Sequence, residues 1–139
     1  MKFLDTNVLV YAADKTESVR HDRAMIVLLE AFSDGDFMIS TQVLNEFSNV
    51  ALSKLKKTDD EVKSYLAKWR MLKVAPLEDH LVEKAIDIRS RYDLQFYDSL
   101  LLATADANGC DEFWSEDLND GQIYCGMKAV NPFKREPAR

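Results

Sequence analysis

Apolar positions along this chain alternate between short runs of two to four residues and longer stretches that repeat with a helical period. Strands and crossover helices of a parallel sheet read this way. Phe3-Leu4 opens as a short strand, and Val8, Leu9 and Val10 carry an apolar run on to Tyr11. Between Val19 and Phe32, the residues Met25, Leu28, Leu29 and Phe32 recur at helical spacing, and Gly35 supplies a stop. Phe37-Met38-Ile39 predicts a second strand. Ser40 or Thr41 can cap a helix carrying Leu44, Phe47, Ala51 and Leu55, and a further helix runs from about Asp59 to Arg70 with Val62, Leu66 and Trp69 on one side.

Leu72-Lys73-Val74, followed by Pro76, predicts a third strand. Glu78 to Tyr92 is the clearest amphipathic helix, with Leu81, Val82, Ala85, Ile86 and Ile88 expected to face inward and acids in its first turn. A helix from about Phe96 to Ala107 stops at Asn108-Gly109. Glu112-Phe113-Trp114 and Lys128-Ala129-Val130 predict the fourth and fifth strands, and the polar tail from about Asn131 is expected to be loose. No repeat or linker interrupts the pattern. The expectation is one α/β domain over residues 1–139, with helices on both faces of the sheet.

At 139 residues the chain is about one domain long and can bury roughly two-thirds of its unfolded surface. Its 47% hydrophobic and 30% charged residues describe a folded protein rather than a disordered or membrane chain. No window approaches the roughly 18 apolar residues of a membrane span. Asp5 and Asn7 break the apolar start where a signal peptide would need an unbroken core, so a cytoplasmic protein without membrane association is expected. Cys110 and Cys125 form no C-x-x-C pair and read as reduced, inert thiols. The net charge of -6 excludes a uniformly basic coat, so any nucleic-acid contact must use local patches.

The informative residues are acids in costly places. Asp5 follows the first strand and Asp117 follows the fourth, so both lie at the carboxyl edge, where open parallel sheets bind ligands beside the switch point. Glu46 interrupts an apolar column between Val43 and Val50 early in the helix that leaves the same edge. Asp98 stands in a stripe of Leu94, Leu101, Leu102 and Ala105, and no Lys or Arg occurs between Tyr92 and Gly126 to neutralise it locally. Each acid has a plainer reading: a helix N-cap for Asp5, a solvated helix residue for Glu46, a dipole complement for Asp98 and a turn acid for Asp117. Their joint placement favours a negative pocket that needs divalent cations to discharge it. Mg²⁺ and Mn²⁺ prefer carboxylate and water ligands, and they polarise phosphoryl oxygens and acidify bound water. Phosphodiester hydrolysis is the reaction class this chemistry suits.

Four segments, in order, resemble the successive motifs of PIN-domain ribonucleases: Phe3-Leu4-Asp5-Thr6-Asn7-Val8-Leu9, Leu44-Asn45-Glu46-Phe47, Tyr97-Asp98-Ser99-Leu100 and Trp114-Ser115-Glu116-Asp117-Leu118. The subgroup most similar is the VapC-type toxins of toxin–antitoxin pairs, and the resemblance covers nearly the whole chain. It implies a PIN-like three-layer α/β/α fold with a short, mainly parallel sheet of about five strands. It also implies that Asp5, Glu46, Asp98 and Asp117 form a catalytic quartet holding one or two Mg²⁺ or Mn²⁺ ions. Asn7 matches a position where a hydrogen bond would orient a carboxylate, and Ser115 stands where many relatives carry Thr. Glu116 and Asp120 are extra acids outside the expected site. An RNA substrate, a small VapB-like antitoxin that blocks the acidic pocket, and a homodimer are implied in the same way.

Substrate grip is less specific. Between Ala51 and Ala75 seven bases face three acids, among them Lys54, Lys56, Lys57, Lys63 and Lys68, and Lys128, Lys134, Arg135 and Arg139 form a second cluster. Such runs line an RNA backbone or simply solvate a helix face. Trp69 reads as core rather than as a base-stacking platform, and His21 and His80 as surface residues. Two rivals remain. A haloacid-dehalogenase-type phosphatase also opens with an Asp after its first strand, but it needs a second Asp where Asn7 stands. A non-catalytic binding module would use the acids as a docking pocket.

Overall fold

The computed structural model describes residues 1–134 of the chain. Its elements run β1 (Lys2–Leu4), α1 (Thr6–Ala13), α2 (Ser18–Asp34), β2 (Phe37–Ser40), α3 (Thr41–Ser53), α4 (Asp59–Trp69), β3 (Lys73–Ala75), α5 (Leu81–Tyr92), α6 (Phe96–Ala107), β4 (Glu112–Trp114), β5 (Ile123–Tyr124) and β6 (Met127–Val130). This is a PIN-like α/β architecture. The strands make one sheet in the order β3-β2-β1-β4-β6-β5, parallel throughout except for the β5–β6 pair. The apolar run Val8 to Tyr11 is helical, because Asp5 turns the chain out of β1 and caps α1.

Chain order and strand order together locate the functional edge. From β1 the chain steps outward through α1–α2 to β2 and through α3–α4 to β3. It then returns through α5–α6 to β4, on the other side of β1. Right-handed crossovers place the outward and returning helices on opposite faces of the sheet. The direction reverses between β1 and β4, so the carboxyl ends of those two strands border the switch-point crevice.

The core is built from side chains of every layer. Phe3 stacks on Phe113 across the β1–β4 pair, with ring centroids 5.1 Å apart. Phe47 of α3 meets Tyr65 and Trp69 of α4 edge-on. Trp69 is thus core, as its helical spacing predicts. A capping box in which Thr58 and Glu61 bond each other's backbone N–H groups starts α4.

Four expectations are corrected. Of the α2 stripe only Leu28 is buried; Met25, Leu29 and Phe32 are exposed, and the buried face runs through Ala24, Val27, Leu28 and Ala31. On α5, Val82 and Ile86 face outward while Leu81, Ala85 and Ile88 pack inside. His21 is half-buried, with Nδ1 3.0 Å from the Tyr11 carbonyl oxygen. The polar stretch after β6 is anchored at its start: Asn131 is buried, its N–H donates to Asp120, and the Phe133 ring meets Tyr11 edge-on. The remainder of that expected loose tail, including Arg135 and Arg139, lies outside the described residues.

A sixth strand adds to the expected five. Cys125 and Gly126 both take positive φ, 52° and 79°, between the paired Tyr124 and Met127, which makes the two-residue turn of a β-hairpin. Cys110 is buried, and desolvation pushes its thiol up to about 11, in keeping with an inert thiol.

Because Phe47 is fully buried and holds α3 against α4, Phe47→Ala is expected to destabilise the fold by about 3–5 kcal/mol. Urea unfolding followed by circular dichroism reads this directly, and a loss under about 1 kcal/mol would show that α4 does not contribute to the core as described.

Candidate active site

All four predicted acids border the same crevice. Asp5 leaves β1 as the N-cap of α1, and its N–H donates to the Trp114 carbonyl on β4 at 3.0 Å. Asp5 is only 4% exposed. Its Oδ1 accepts from the Thr6 N–H at 2.7 Å and its Oδ2 from the Ser115 hydroxyl at 2.7 Å. Ser115, itself buried just past β4, also accepts from the Asp117 N–H at 3.0 Å. Asn7 donates through Nδ2 to Asp117 Oδ2 at 2.9 Å. The Thr6 hydroxyl donates to Glu46 Oε1 at 2.7 Å, which brings α3 to the same network.

One hydrogen-bonded chain therefore links Glu46, Thr6, Asp5, Ser115, Asp117 and Asn7. Asn7 and Ser115, the two residues expected to orient carboxylates, donate to Asp117 and Asp5 respectively. Thr6 was not singled out by sequence reasoning; its position beside Asp5 at a helix start was the available signal. Gln42 was missed as well. It is buried one turn before Glu46, and its Nε2 donates to the Tyr97 carbonyl at 2.9 Å, tying α3 to the first turn of α6 beside Asp98. Its Oε1 is buried without a partner among the described residues.

Asp98 stands apart from this chain. It is half-buried in the first turn of α6, where the helix dipole favours an acid, and among the described residues no side chain donates to it. Burial raises its pKa, and the neighbouring Asp117 and Glu46 carboxylates raise it further. Asp117 is also raised, by desolvation and then by Glu116, against the lowering effect of Asn7. Asp5 is pushed from 3.8 to about 7, chiefly by desolvation, which the Ser115 and Thr6 bonds only partly offset. Asp117 and Asp98 raise it too. Among the described residues no Lys or Arg forms an ion pair with any of the four.

The two extra acids are employed elsewhere. Glu116 accepts from the Tyr11 hydroxyl at 2.6 Å and from Arg20 Nε at 3.2 Å, while Asp120 accepts from the Asn131 N–H. Arg20 thus neutralises Glu116 and leaves the quartet uncompensated.

The donor set is all hard oxygen, which suits Mg²⁺ or Mn²⁺ and not a soft ion. Among the described residues, no three His, Cys, Asp or Glu side chains already converge closely enough to hold one ion. That spacing still fits Mg²⁺, which keeps several waters and is commonly held through only one or two carboxylates. Asp5 feels the charge of Asp98 and Asp117, and Asp98 that of Asp117 and Glu46, so these four carboxylates are the residues that could hold such an ion.

The chain belongs to the PIN domain family, whose model matches residues 2–119. A search of curated proteins gives no match. Among solved structures, the chain is similar to a toxin–antitoxin complex from Klebsiella pneumoniae, with a TM-score of 0.70, 20% identity and coverage of 95% of this chain and 98% of that one. It is also similar to VapC20 of Mycobacterium tuberculosis, described as a toxin that cleaves the sarcin-ricin loop, with a TM-score of 0.68, 18% identity and coverage of 81% and 87%. FitAcB from Neisseria gonorrhoeae superimposes at a TM-score of 0.68 with 15% identity over 97% of this chain and 100% of that one. These likenesses show the fold.

The Asp5 shift sets a pH dependence. Between 3.8 and about 7 the folded protein retains a proton that the unfolded chain has released, so stability falls as pH rises through that window and levels off above it. In EDTA, the melting temperature of the wild type is expected to decline from pH 4.5 to 7.5, and that of Asp5→Asn to decline distinctly less. Parallel curves would mean that Asp5 is ionised throughout. Asp98→Asn is expected to raise the melting temperature in EDTA at pH 8 by relieving repulsion; a clear loss would point to a structural role instead.

Proposed function

We propose that this chain is a divalent-metal-dependent endoribonuclease and the toxin of a toxin–antitoxin pair. The observation that carries the reading is the gathering of Asp5, Glu46, Asp98 and Asp117 around the switch-point crevice with no Lys or Arg among the described residues paired to them. A phosphodiester brought to such an edge is repelled unless positive charge intervenes. A divalent ion, when bound, supplies that charge together with Lewis acidity toward water and phosphoryl oxygens.

The chain's own residues divide the remaining work. Ser115 and the Thr6 N–H fix the Asp5 carboxylate in its buried position, so its direction does not depend on solvent. The Thr6 hydroxyl aims Glu46, and Asn7 aims Asp117. Asp98, with raised proton affinity and no side-chain donor on it, is the group placed to accept a proton from the attacking water. A phosphatase of the haloacid-dehalogenase type is disfavoured, because Asn7 spends its amide on Asp117 where that chemistry needs a second acid.

The antitoxin reading is supported by the exposed side of α2. Met25, Leu29 and Phe32 line a groove of about 400 Å³ against Tyr65 and Trp69 of α4, with Lys15, His21 and Lys68 also lining it. A contiguous apolar strip of this kind suits a partner's amphipathic helix. The neighbours solved as toxin–antitoxin complexes are consistent with that occupant. Val82 and Ile86 on α5 offer a separate apolar strip for a second copy of the chain. No helix among the described residues is long and apolar enough to cross a membrane.

Mapping of RNA 5′ ends across the transcriptome, in cells briefly expressing wild type or Asp98→Asn, tests the activity. New ends confined to the wild type are expected, and their positions name the substrate. Identical maps from two folded, accumulating proteins would remove the nuclease reading and favour an acidic docking pocket.

A further inference from the structure

Helices α1 and α3 both leave the acidic edge and finish together at a second, differently charged place. Asp5 caps the start of α1, and eight residues later the helix ends at Ala13; Glu46 lies eight residues before Lys54, which caps the end of α3. At 1.5 Å per residue, each path is roughly 12 Å long. Between the two helix ends lies a cavity of about 380 Å³ lined by Lys15, Lys54 and Lys57 together with Asp14, Thr16 and Leu55.

Carboxylates leave the lysines there free, as they leave most lysines among the described residues. Among the described residues none of the three forms an ion pair with a carboxylate. Asp14, the acid in the same cavity, has its Oδ1 engaged by the Thr16 N–H at 3.1 Å and hydroxyl at 2.6 Å. Lys57 is half-buried. It is folded back by the end of α3, where Lys56 takes the left-handed conformation at φ 55° and the Lys57 N–H donates to the Ala51 carbonyl at 3.0 Å. Glycine is the easier residue at such a turn, so the chain accepts backbone strain while presenting the neighbouring lysines. Solvation of the two helix C-termini explains one lysine at each end, but not three around one cavity.

We propose that this cavity binds a backbone phosphate of the RNA substrate, a few nucleotides away from the scissile bond. The proposal rests on the nuclease reading and adds the path of the strand to it. The RNA lies along the α1–α3 pair with its cleaved phosphate at the acidic edge and a distal phosphate among Lys15, Lys54 and Lys57. At about 3.4 Å per stacked nucleotide along a strand, a path of roughly 12 Å corresponds to about three or four nucleotides. The positive end supplies attraction that the acidic edge cannot, so the strand is drawn in with one polarity of charge at each end of its track.

The test uses the full chain carrying Asp98→Asn, to prevent cleavage, with a fluorescein-labelled 20-nucleotide RNA of mixed sequence and anisotropy read over a series of salt concentrations. Adding Lys54→Gln and Lys57→Gln is expected to flatten the slope of log K against log salt by about 0.7, the change for the one phosphate that is no longer neutralised. Adding Lys63→Gln and Lys84→Gln, an equal reduction of charge on α4 and α5, is expected to leave the slope nearly unchanged. Equal flattening by both pairs would reduce the effect to net charge and overturn the pocket. An unchanged slope for the Lys54/Lys57 variant, coupled with abolished binding of poly-glutamate, would also overturn it and point to an acidic protein partner. If the wild type produces RNA ends in cells while the pocket variant shows no change in slope, only the phosphate pocket fails. If the wild type produces none, the nuclease reading fails first and the pocket proposal falls with it.

Discussion

The bond from Ser115 to the buried Asp5 carboxylate is the constraint on which the site depends, because it spans the two strands between which the sheet changes direction. A carboxylate on a residue 4% exposed is expensive to ionise, and every group that accompanies Asp5 can be understood as managing that cost. Thr6 N–H and the Ser115 hydroxyl favour the charged form; burial, Asp117 and Asp98 oppose it. The result is a group balanced near neutrality. A fully solvated cluster would be easier to fold but its field would be screened by water, while a cluster fully satisfied by donors would attract a cation less.

Rigidity and freedom are divided among the acids. Asp5, Asp117 and Glu46 are each held by a named donor, whereas Asp98 sits on a helix whose position is set by packing and by the Gln42–Tyr97 tie. That division suits a centre in which some ligands define a position and another must exchange protons with solvent. It also explains why Gln42 is worth burying although its Oε1 has no partner among the described residues: it joins α3 to α6, helices that come from opposite faces of the sheet.

Much of this was legible in the residues. Strand ends could be placed from apolar runs bounded by polar ones, and that alone put Asp5 and Asp117 on one edge. Asp98 was visible as an acid inside a leucine stripe. What stayed hidden has physical reasons. Thr6 and Gln42 act through contacts to residues about 40 and 55 positions away, and a hydroxyl or amide at a helix start looks the same whether it caps, solvates or orients. The β5–β6 hairpin is two residues deep on one side and turns through Cys-Gly rather than through Asn-Gly, so neither length nor turn chemistry announced it. The faces of α2 and α5 were misjudged because helical period reports which residues are apolar, not whether the cover over them belongs to the same chain.

That last ambiguity is informative in itself. A 17-residue helix that packs through Ala24, Val27, Leu28 and Ala31 uses its smaller side chains against the body of the protein and turns Met25, Leu29 and Phe32 outward. Were stability the only demand, the larger groups would be the ones buried, since each contributes more apolar area. Close approach of α2 to α1 is achieved through alanines instead, and the larger groups are kept for a surface that also includes Tyr65 and Trp69 of α4. Methionine adapts to an incoming surface more readily than branched residues do. The arrangement places an exposed apolar face and an anionic crevice on neighbouring helices, since α1 packs against both α2 and α3, so the antitoxin proposed for α2 would sit one helix away from the crevice.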